Sequence, residues 1–248
     1  MIQFANLGAG YDTFSARQSG WARGLTIVEV DHPASQEAKV EAFKASGIAF
    51  PPNAEFAPLD LEVGELRSAL AKPMFVACLG VPACLLPETV CKVSKEIVTL
   101  VKGTKLVMAF APTADRDSAT ADNAAVHGEP WLTRFDPMEL RQELLNCGFS
   151  EVAFLSTDEA ARRYYVGRSD LPAPRKVRLC MASVWSVLVL DLASRRSKLV
   201  SIEEAPVLVL DPPLTASSNS APSHSIFPSA RCSPTAAKLL LWSSLSKP

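Results

Sequence analysis

The sequence predicts an α/β protein whose core is a doubly wound, mostly parallel sheet of seven strands. The first observation is an opening unit in which a strand, a glycine turn, a helical segment and a second strand ending in an acid follow one another. The second is that short apolar segments keep alternating with helical stretches along the chain. The third is the segment Met74–Leu79, which is apolar throughout, as is typical of a strand buried on both faces. Such alternation favours a parallel sheet with helices on both sides.

The opening unit resembles those that bind nucleotides. Ile2–Leu7 is a short apolar strand, Gly8-Ala9-Gly10 breaks it, and Tyr11–Arg17 begins like a helix. A second apolar strand, Leu25–Val30, ends at Asp31. Glycines let a ligand approach the backbone, a helix N-terminus offers unpaired N–H groups, and the acid can bind a pair of ribose hydroxyls.

The next elements continue the alternation. Ala34–Lys44 is rich in Ala, Glu and Lys and predicts a helix, and Pro33 suits its first turn, where a missing N–H costs nothing. Ala54–Leu59 predicts a weak third strand that ends at Asp60. The segment Leu61–Ala71 then predicts a short helix.

The rest of the chain completes the sheet. After Met74–Leu79, the pattern predicts helix Pro87–Val101, strand Lys105–Phe110, a polar, alanine-rich loop from Ala111 to Glu129, helix Pro137–Cys147, and the strands Val152–Leu155 and Val177–Val184. Gly148 directly after the last helix is a C-cap signal. Glu88, Lys92, Lys95 and Glu96 form the predicted polar face of the first of these helices.

The composition changes near Trp185, so we expect a domain over 1–184 and a divergent tail over 185–248. The tail contains two similar apolar segments, Val187–Asp191 and Val207–Asp211. Beyond 212, Ser, Pro, Ala and Thr dominate without periodicity, which predicts disorder.

Bulk properties exclude several classes of function. The chain has 248 residues, 48% of them hydrophobic, and a formal net charge of −1, which gives no basic field for nucleic acid. No apolar run of membrane-spanning length and no signal-peptide pattern is present, so we expect a cytoplasmic protein. The six cysteines show no CxxC spacing and are expected to be buried free thiols, with no metal site.

The identity of the ligand depends on the glycine turn. The dinucleotide fingerprint needs a third glycine near position 13, where this chain has Thr13. S-adenosylmethionine has no pyrophosphate, so it does not need that glycine. Its ribose can bind Asp31 and its adenine amine can donate to Asp60. Either acid could instead cap the helix that follows it, and Gly8 and Gly10 could merely close a tight turn.

Several blocks resemble one family. Asn6–Thr13, Val28–Pro33, Leu59–Leu61, Phe75–Leu85, Gly128–Trp131 and Arg162–Tyr165 are similar to blocks of the leucine carboxyl methyltransferase family, in particular its bacterial-type members. The resemblance covers about residues 2–184. It implies a class I methyltransferase fold with an antiparallel last strand and S-adenosylmethionine as cofactor. It also implies that the methionine part binds at Gly8 and Gly10, the ribose at Asp31, and the adenine near Asp60 and Leu61.

The resemblance implies transfer of a methyl group to a carboxylate or hydroxyl oxygen of a small molecule or a protein. No catalytic residue is predicted, since His32 beside a helix start and Glu29 within a strand both have structural explanations. Family members carry helices before the first strand, so we expect this chain to lack that lid. The alternative function is therefore an inactive methyltransferase-fold remnant or binding module.

Overall fold

The computed structural model describes residues 3–70, 74–100, 102–115, 119–174 and 177–184. Its seven strands are β1 (Gln3–Leu7), β2 (Thr26–Asp31), β3 (Ala54–Pro58), β4 (Met74–Cys78), β5 (Lys105–Ala109), β6 (Glu151–Phe154) and β7 (Leu179–Ser183). They form one sheet in the order β3-β2-β1-β4-β5-β7-β6. Neighbours among the first five strands pair parallel, whereas β7 is antiparallel to both β5 and β6. The predicted fold class and the antiparallel last strand are confirmed.

The described residues form five α-helices. They are α1 (Pro33–Ala45), α2 (Pro87–Leu100), α3 (Ala119–Val126), α4 (Pro137–Cys147) and α5 (Thr157–Tyr164). Asp136 caps α4 by accepting from the N–H groups of Met138 and Glu139, and Gly148 ends it with φ 110°, as its C-cap signal indicated. The helices predicted before β3 and before β5 are α1 and α2, and their ends lie within one residue of the expected bounds.

The prediction of a helix over Tyr11–Arg17 is wrong. The Phe14 N–H bonds the Asp12 side chain at 2.8 Å, and the Arg17 N–H bonds the Thr13 carbonyl at 2.9 Å, closing a single turn. A short 3-10 helix, Gly20–Gly24, then leads into β2. Asp, Ser and Thr side chains compete for backbone N–H groups, which favours turns over a continued helix.

The helix predicted over Leu61–Ala71 is also wrong within the described residues. The chain makes turns and then one 3-10 turn, Leu66–Ser68. Asp60 accepts hydrogen bonds from the Glu62 N–H through its side chain and from the Gly64 N–H through its carbonyl. Glycine in the middle of the segment lowers its helix propensity.

Two helices were not predicted. α3 occupies part of the expected loop from Ala111 to Glu129, and α5 lies between the last two strands of the chain. Ser156 caps α5 by accepting from the Glu159 N–H at 3.1 Å. The predicted tail, 185–248, lies outside the described residues.

The main core lies on one face of the sheet. Alternate strand residues such as Leu7, Val30 and Met108 point to that face and pack with Ile97 of α2 and Leu144 of α4. All five side chains are at most 2% exposed. Since successive strand residues point to opposite faces, the neighbours of these positions face the other side of the sheet.

On that other face, α1 is joined to β2 by a buried ion pair. Lys39 Nζ donates to Glu29 Oε2 at 2.6 Å, and both side chains are 2% exposed. Gln36 Nε2 donates to the Glu29 carbonyl at 2.6 Å. Helices therefore cover both sides, as a doubly wound sheet requires, and Glu29 is a residue of the sheet face.

Candidate functional site

The strand order reverses between β1 and β4, because β1 leads outward through β2 to β3 while β4 leads outward through β5. In open α/β sheets, ligands bind beyond the carboxyl ends of the strands at such a reversal. Gly8 and Gly10 follow β1, Asp31 ends β2, and Asp60 and Leu61 follow β3. The fold therefore brings all five predicted cofactor residues to one edge of three adjacent strands.

Gly8 is required by the fold itself. It has φ 64°, a left-handed conformation that side chains other than hydrogen disfavour. A Cβ at this position would lie 2.2 Å from Cγ2 of Val81, which is buried. The Gly8 and Ala9 N–H groups both donate to the Val30 carbonyl, at 2.7 and 3.2 Å. Tight packing thus accounts for Gly8 whether or not a ligand lies above it.

Gly10 is joined directly to Asp31. The Gly10 N–H donates to Asp31 Oδ2 at 2.5 Å, and the His32 N–H donates to Oδ1 at 2.7 Å. Gly10 has φ 47°, and Asp31 is 2% exposed. The carboxylate at the end of β2 therefore holds the turn that follows β1 in place.

The cap of α1 is His32. Its Nδ1 accepts from the Ala34 N–H at 3.3 Å, and Pro33 stands in the first turn. Asp31 was one candidate for this cap, but its carboxylate binds the glycine turn instead. His32 therefore has a structural role as the N-cap of α1.

Asn6 and Asp12 fix the chain beyond the glycine turn. Asn6 Nδ2 donates to Asp12 Oδ2 at 2.9 Å, while Asp12 Oδ1 accepts from the Phe14 N–H. Asn6 is 3% exposed and lies within β1. Asp12 thus stabilises its own turn.

Asp60 and Leu61 offer different groups to a ligand. Asp60 is half-buried, and its Oδ1 accepts from the Glu62 N–H at 2.9 Å. Leu61 is 7% exposed, and its side chain belongs to the core. A ligand at this position would therefore meet the backbone of Leu61 and the carboxylate of Asp60.

The contacts that support this loop were not predicted. Lys92 Nζ donates to the carbonyls of Leu61, Glu62 and Gly64 at 3.4, 3.3 and 2.6 Å. Glu96 Oε2 accepts from the Leu66 N–H at 2.5 Å. Lys92 and Glu96 appear in the sequence as part of a polar helix face, and nothing local indicates that this face meets a loop about thirty residues earlier.

Apolar side chains are exposed beyond β1 and β4 and in the segment before α4. Leu79 after β4 is 37% exposed, and Tyr11 after the glycine turn is 41% exposed. The Leu132 and Thr133 N–H groups donate to the Ala83 carbonyl at 2.7 and 3.0 Å, which ties the segment before α4 to the turn after β4. Leu132 itself is 50% exposed.

The described residues show neither a metal cluster nor a membrane-spanning helix. Among the residues that the structure describes, no group of three or more His, Cys, Asp or Glu side chains is arranged to hold a metal ion. None of the helices in the described part of the chain is long and apolar enough to cross a membrane.

The chain is similar in sequence to known methyltransferases. The family model for leucine carboxyl methyltransferases matches residues 1–90. YktD of Bacillus subtilis (strain 168), named provisionally as an S-adenosyl-L-methionine-dependent methyltransferase, is 27% identical over 68% of this chain. The match covers 60% of YktD, so the chain spans less than two thirds of this relative's length.

An O-methyltransferase family protein from Burkholderia thailandensis has a similar structure. Its TM-score is 0.51 at 14% sequence identity, over 75% of this chain and 52% of that one. The likeness establishes the class I methyltransferase fold. The family match covers the strands that carry the glycine turn and Asp31, so the chain is similar to leucine carboxyl methyltransferases over this part of its length.

Proposed function

We propose that this protein is an S-adenosylmethionine-dependent methyltransferase that transfers a methyl group to an oxygen atom. The contact between the Gly10 N–H and the Asp31 carboxylate supports this proposal most strongly. It joins a glycine turn and a strand-end carboxylate at the reversal of the strand order, where such sheets bind ligands. The family match covers the same residues.

The residues at this edge fit the cofactor. The backbone of Gly8 and Gly10 would face its methionine part, Asp31 would accept from the ribose hydroxyls, and Asp60 with the Leu61 backbone would bind the adenine. In the structure, the Asp31 carboxylate accepts from the backbone N–H groups of Gly10 and His32. Because Asp31 is 2% exposed, ribose binding requires the Gly10 amide to move aside.

The turn after β1 argues against a dinucleotide. A pyrophosphate binds at the N-terminus of a helix that follows the glycines. Here the chain from Tyr11 to Arg17 closes only one hydrogen-bonded turn, and Thr13 replaces the third glycine. The unpaired N–H groups of a longer helix are therefore missing where NAD would need them.

The proposed acceptor is a carboxylate or hydroxyl group. When bound, S-adenosylmethionine supplies a methyl group on a sulfonium, which is already a good leaving group. The chain then has to orient the acceptor oxygen in line with that methyl group, and orientation supplies most of the rate enhancement in such a reaction. Exposed apolar side chains near the site, Leu79, Tyr11 and Leu132, provide contact area for the acceptor.

Titration calorimetry tests the cofactor assignment. S-adenosylmethionine, S-adenosylhomocysteine and NAD would each be titrated into the full chain after its cooperative unfolding has been verified. We expect micromolar binding of S-adenosylhomocysteine and no heat from NAD. No binding of either sulfur compound to a cooperatively folded sample would contradict the proposal.

A turnover assay then tests the enzymatic part. The chain matches 60% of YktD, so turnover by the chain itself has to be measured. We expect release of S-adenosylhomocysteine when carboxylate and hydroxyl compounds are offered with the cofactor. Cofactor binding without transfer to any acceptor would favour a binding module instead.

A further inference from the structure

Two cysteines from distant parts of the sequence lie side by side. Cys91 is in α2 and Cys147 is the last residue of α4, 56 positions later. Their Sγ atoms are 3.6 Å apart, and Cys147 Sγ lies 3.8 Å from the Cys91 carbonyl oxygen. Both thiols are free, and both side chains are half-buried.

The helices hold this pair in place. The end of α4 lies against α2. A Cβ added to Gly148, the residue that follows α4, would be only 2.9 Å from Cγ1 of Val98 in α2. A disulfide bond is about 2.05 Å long, so the two sulfur atoms need to approach by roughly 1.5 Å. A change of that size is within reach of side-chain rotation while the helices keep their packing.

Exposure separates this pair from the other described cysteines. Cys78, Cys84 and Cys180 are 3%, 6% and 2% exposed. An oxidant reaches a thiol only where the thiol is accessible, so those three are shielded. Cys91 and Cys147 combine partial exposure with a neighbouring thiol.

We propose that Cys91 and Cys147 form a reversible disulfide that links α2 to α4 when the protein meets a low-molecular-weight disulfide such as oxidised glutathione. The Cys91 thiolate attacks one sulfur of the oxidant, forming a mixed disulfide, and one glutathione thiolate leaves. Cys147 then loses its proton and attacks the Cys91 sulfur, and the second glutathione leaves. Two protein thiols are oxidised and one small disulfide is reduced to two thiols.

The environment of Cys147 sets the order of these steps. Burial, together with the adjacent Cys91 thiol, raises the pKa of Cys147 to about 12 from 9.0. Cys147 therefore carries its proton at neutral pH and acts second. Closing the ring should become faster as the pH rises.

The disulfide would fix the position of α2, which also holds the loop after β3 that carries Asp60 and Leu61. α2 carries Lys92, which binds three carbonyls of the loop after Asp60. A cross-link across a long stretch of chain restricts the unfolded state, so we expect Tm to rise by about 5 °C or more on oxidation and to fall back after reduction. The single variants C91S and C147S should show no such rise.

Peptide mapping of the full chain tests the proposal directly. The protein would be treated with oxidised glutathione, alkylated after denaturation, and cleaved after glutamate, which releases 89–96 and 144–151 with one cysteine each. We expect these two peptides to be recovered joined, and Cys78, Cys84 and Cys180 to be alkylated. Recovery of both peptides alkylated, or of a persistent glutathione adduct on either, would overturn the proposal.

Discussion

At the residue scale, the glycine turn owes its shape to two different neighbours. Gly8 lies against Val81, which leaves no room for a Cβ, whereas Gly10 is bound to the carboxylate of Asp31. The first contact is a packing requirement, and the second joins the turn to the adjacent strand. Only the second involves a group that a ligand could use, so the two glycines should respond differently to substitution.

Gly8→Ala should lower the free energy of unfolding by about 2–4 kcal/mol, because it combines a left-handed backbone with an overpacked contact. Gly103→Ala is the matched control, since Gly103 also has positive φ but no atom lies within 4 Å of its Cβ position. The control should cost only about 1 kcal/mol. Urea denaturation measures both, and equal losses would contradict the role of Val81.

The buried pair of Glu29 and Lys39 gives a second residue-scale prediction. Lys39→Met leaves a carboxylate buried without its cation, which should cost about 3–5 kcal/mol. The double variant Lys39→Met with Glu29→Leu removes both charges and should recover most of that loss. Denaturation of the two variants tests this, and a double variant no more stable than the single one would disprove it.

At the scale of elements, side chains of α2 hold the loop after β3, residues 59–70, in place. Lys92 and Glu96 bind that loop on one side of the helix, and the Thr89 hydroxyl donates to Glu62 at the same place. Over 59–70, the described part of this loop, the chain forms turns and a 3-10 turn but no α-helix. Its shape therefore depends on side chains from an element that follows it in the sequence.

Lys92→Met should loosen this loop, since three carbonyls lose their donor. Hydrogen exchange of the amides over 61–66 should accelerate by about tenfold or more, because a hydrogen bond to a charged group contributes about 1.5–3 kcal/mol. Lys95→Met on the exposed side of α2 is the control and should leave these rates unchanged. Equal exchange rates in the two variants would contradict the conclusion that Lys92 holds this loop in place.

At the scale of the whole molecule, burial of thiols makes stability depend on alkaline pH. Burial raises the pKa of Cys180 to about 12 from 9.0, so the folded state keeps a proton that the unfolded state releases. Stability should be unaffected below about pH 9 and should fall between pH 9 and 12, by up to about 1.4 kcal/mol per pH unit for this thiol.

Cys180→Ala removes the contribution of this thiol to the alkaline loss of stability. Its free energy of unfolding should be lower than that of the wild type near pH 8, because a small cavity forms, but should decline less steeply above pH 9. Urea denaturation between pH 8 and 10.5 gives the two slopes. Parallel slopes would show that the thiol at position 180 does not titrate as expected.

The sequence predicts the sheet better than the connections. Apolar segments such as Met74–Leu79 indicate strands because burial on both faces requires uninterrupted apolar residues. The turns after β1 and β3 were wrongly predicted as helices, since side-chain bonds from Asp12 and the presence of Gly64 outweigh the apolar spacing. α3 was missed because alanine favours helix without adding an apolar stripe.

In the candidate site, too, the strand-end residues are predictable from the sequence and the long-range contacts are not. Strand-end positions bring Gly10, Asp31 and Asp60 to one edge, and that follows from the order of parallel strands. The contacts from Lys92 and between Cys91 and Cys147 join parts of the chain about thirty and 56 residues apart. Such contacts leave no local pattern, so only the folded arrangement reveals them.

If Asp31 binds the cofactor through its carboxylate, Asp31→Ala should bind S-adenosylhomocysteine much more weakly than the wild type. We expect at least about a 30-fold loss, from bonds to a charged acceptor worth roughly 2 kcal/mol or more. Asp136→Ala is the control: it removes the cap of α4, lowers stability by about 1 kcal/mol, and should bind like the wild type. Unchanged affinity in folded Asp31→Ala would contradict the claim.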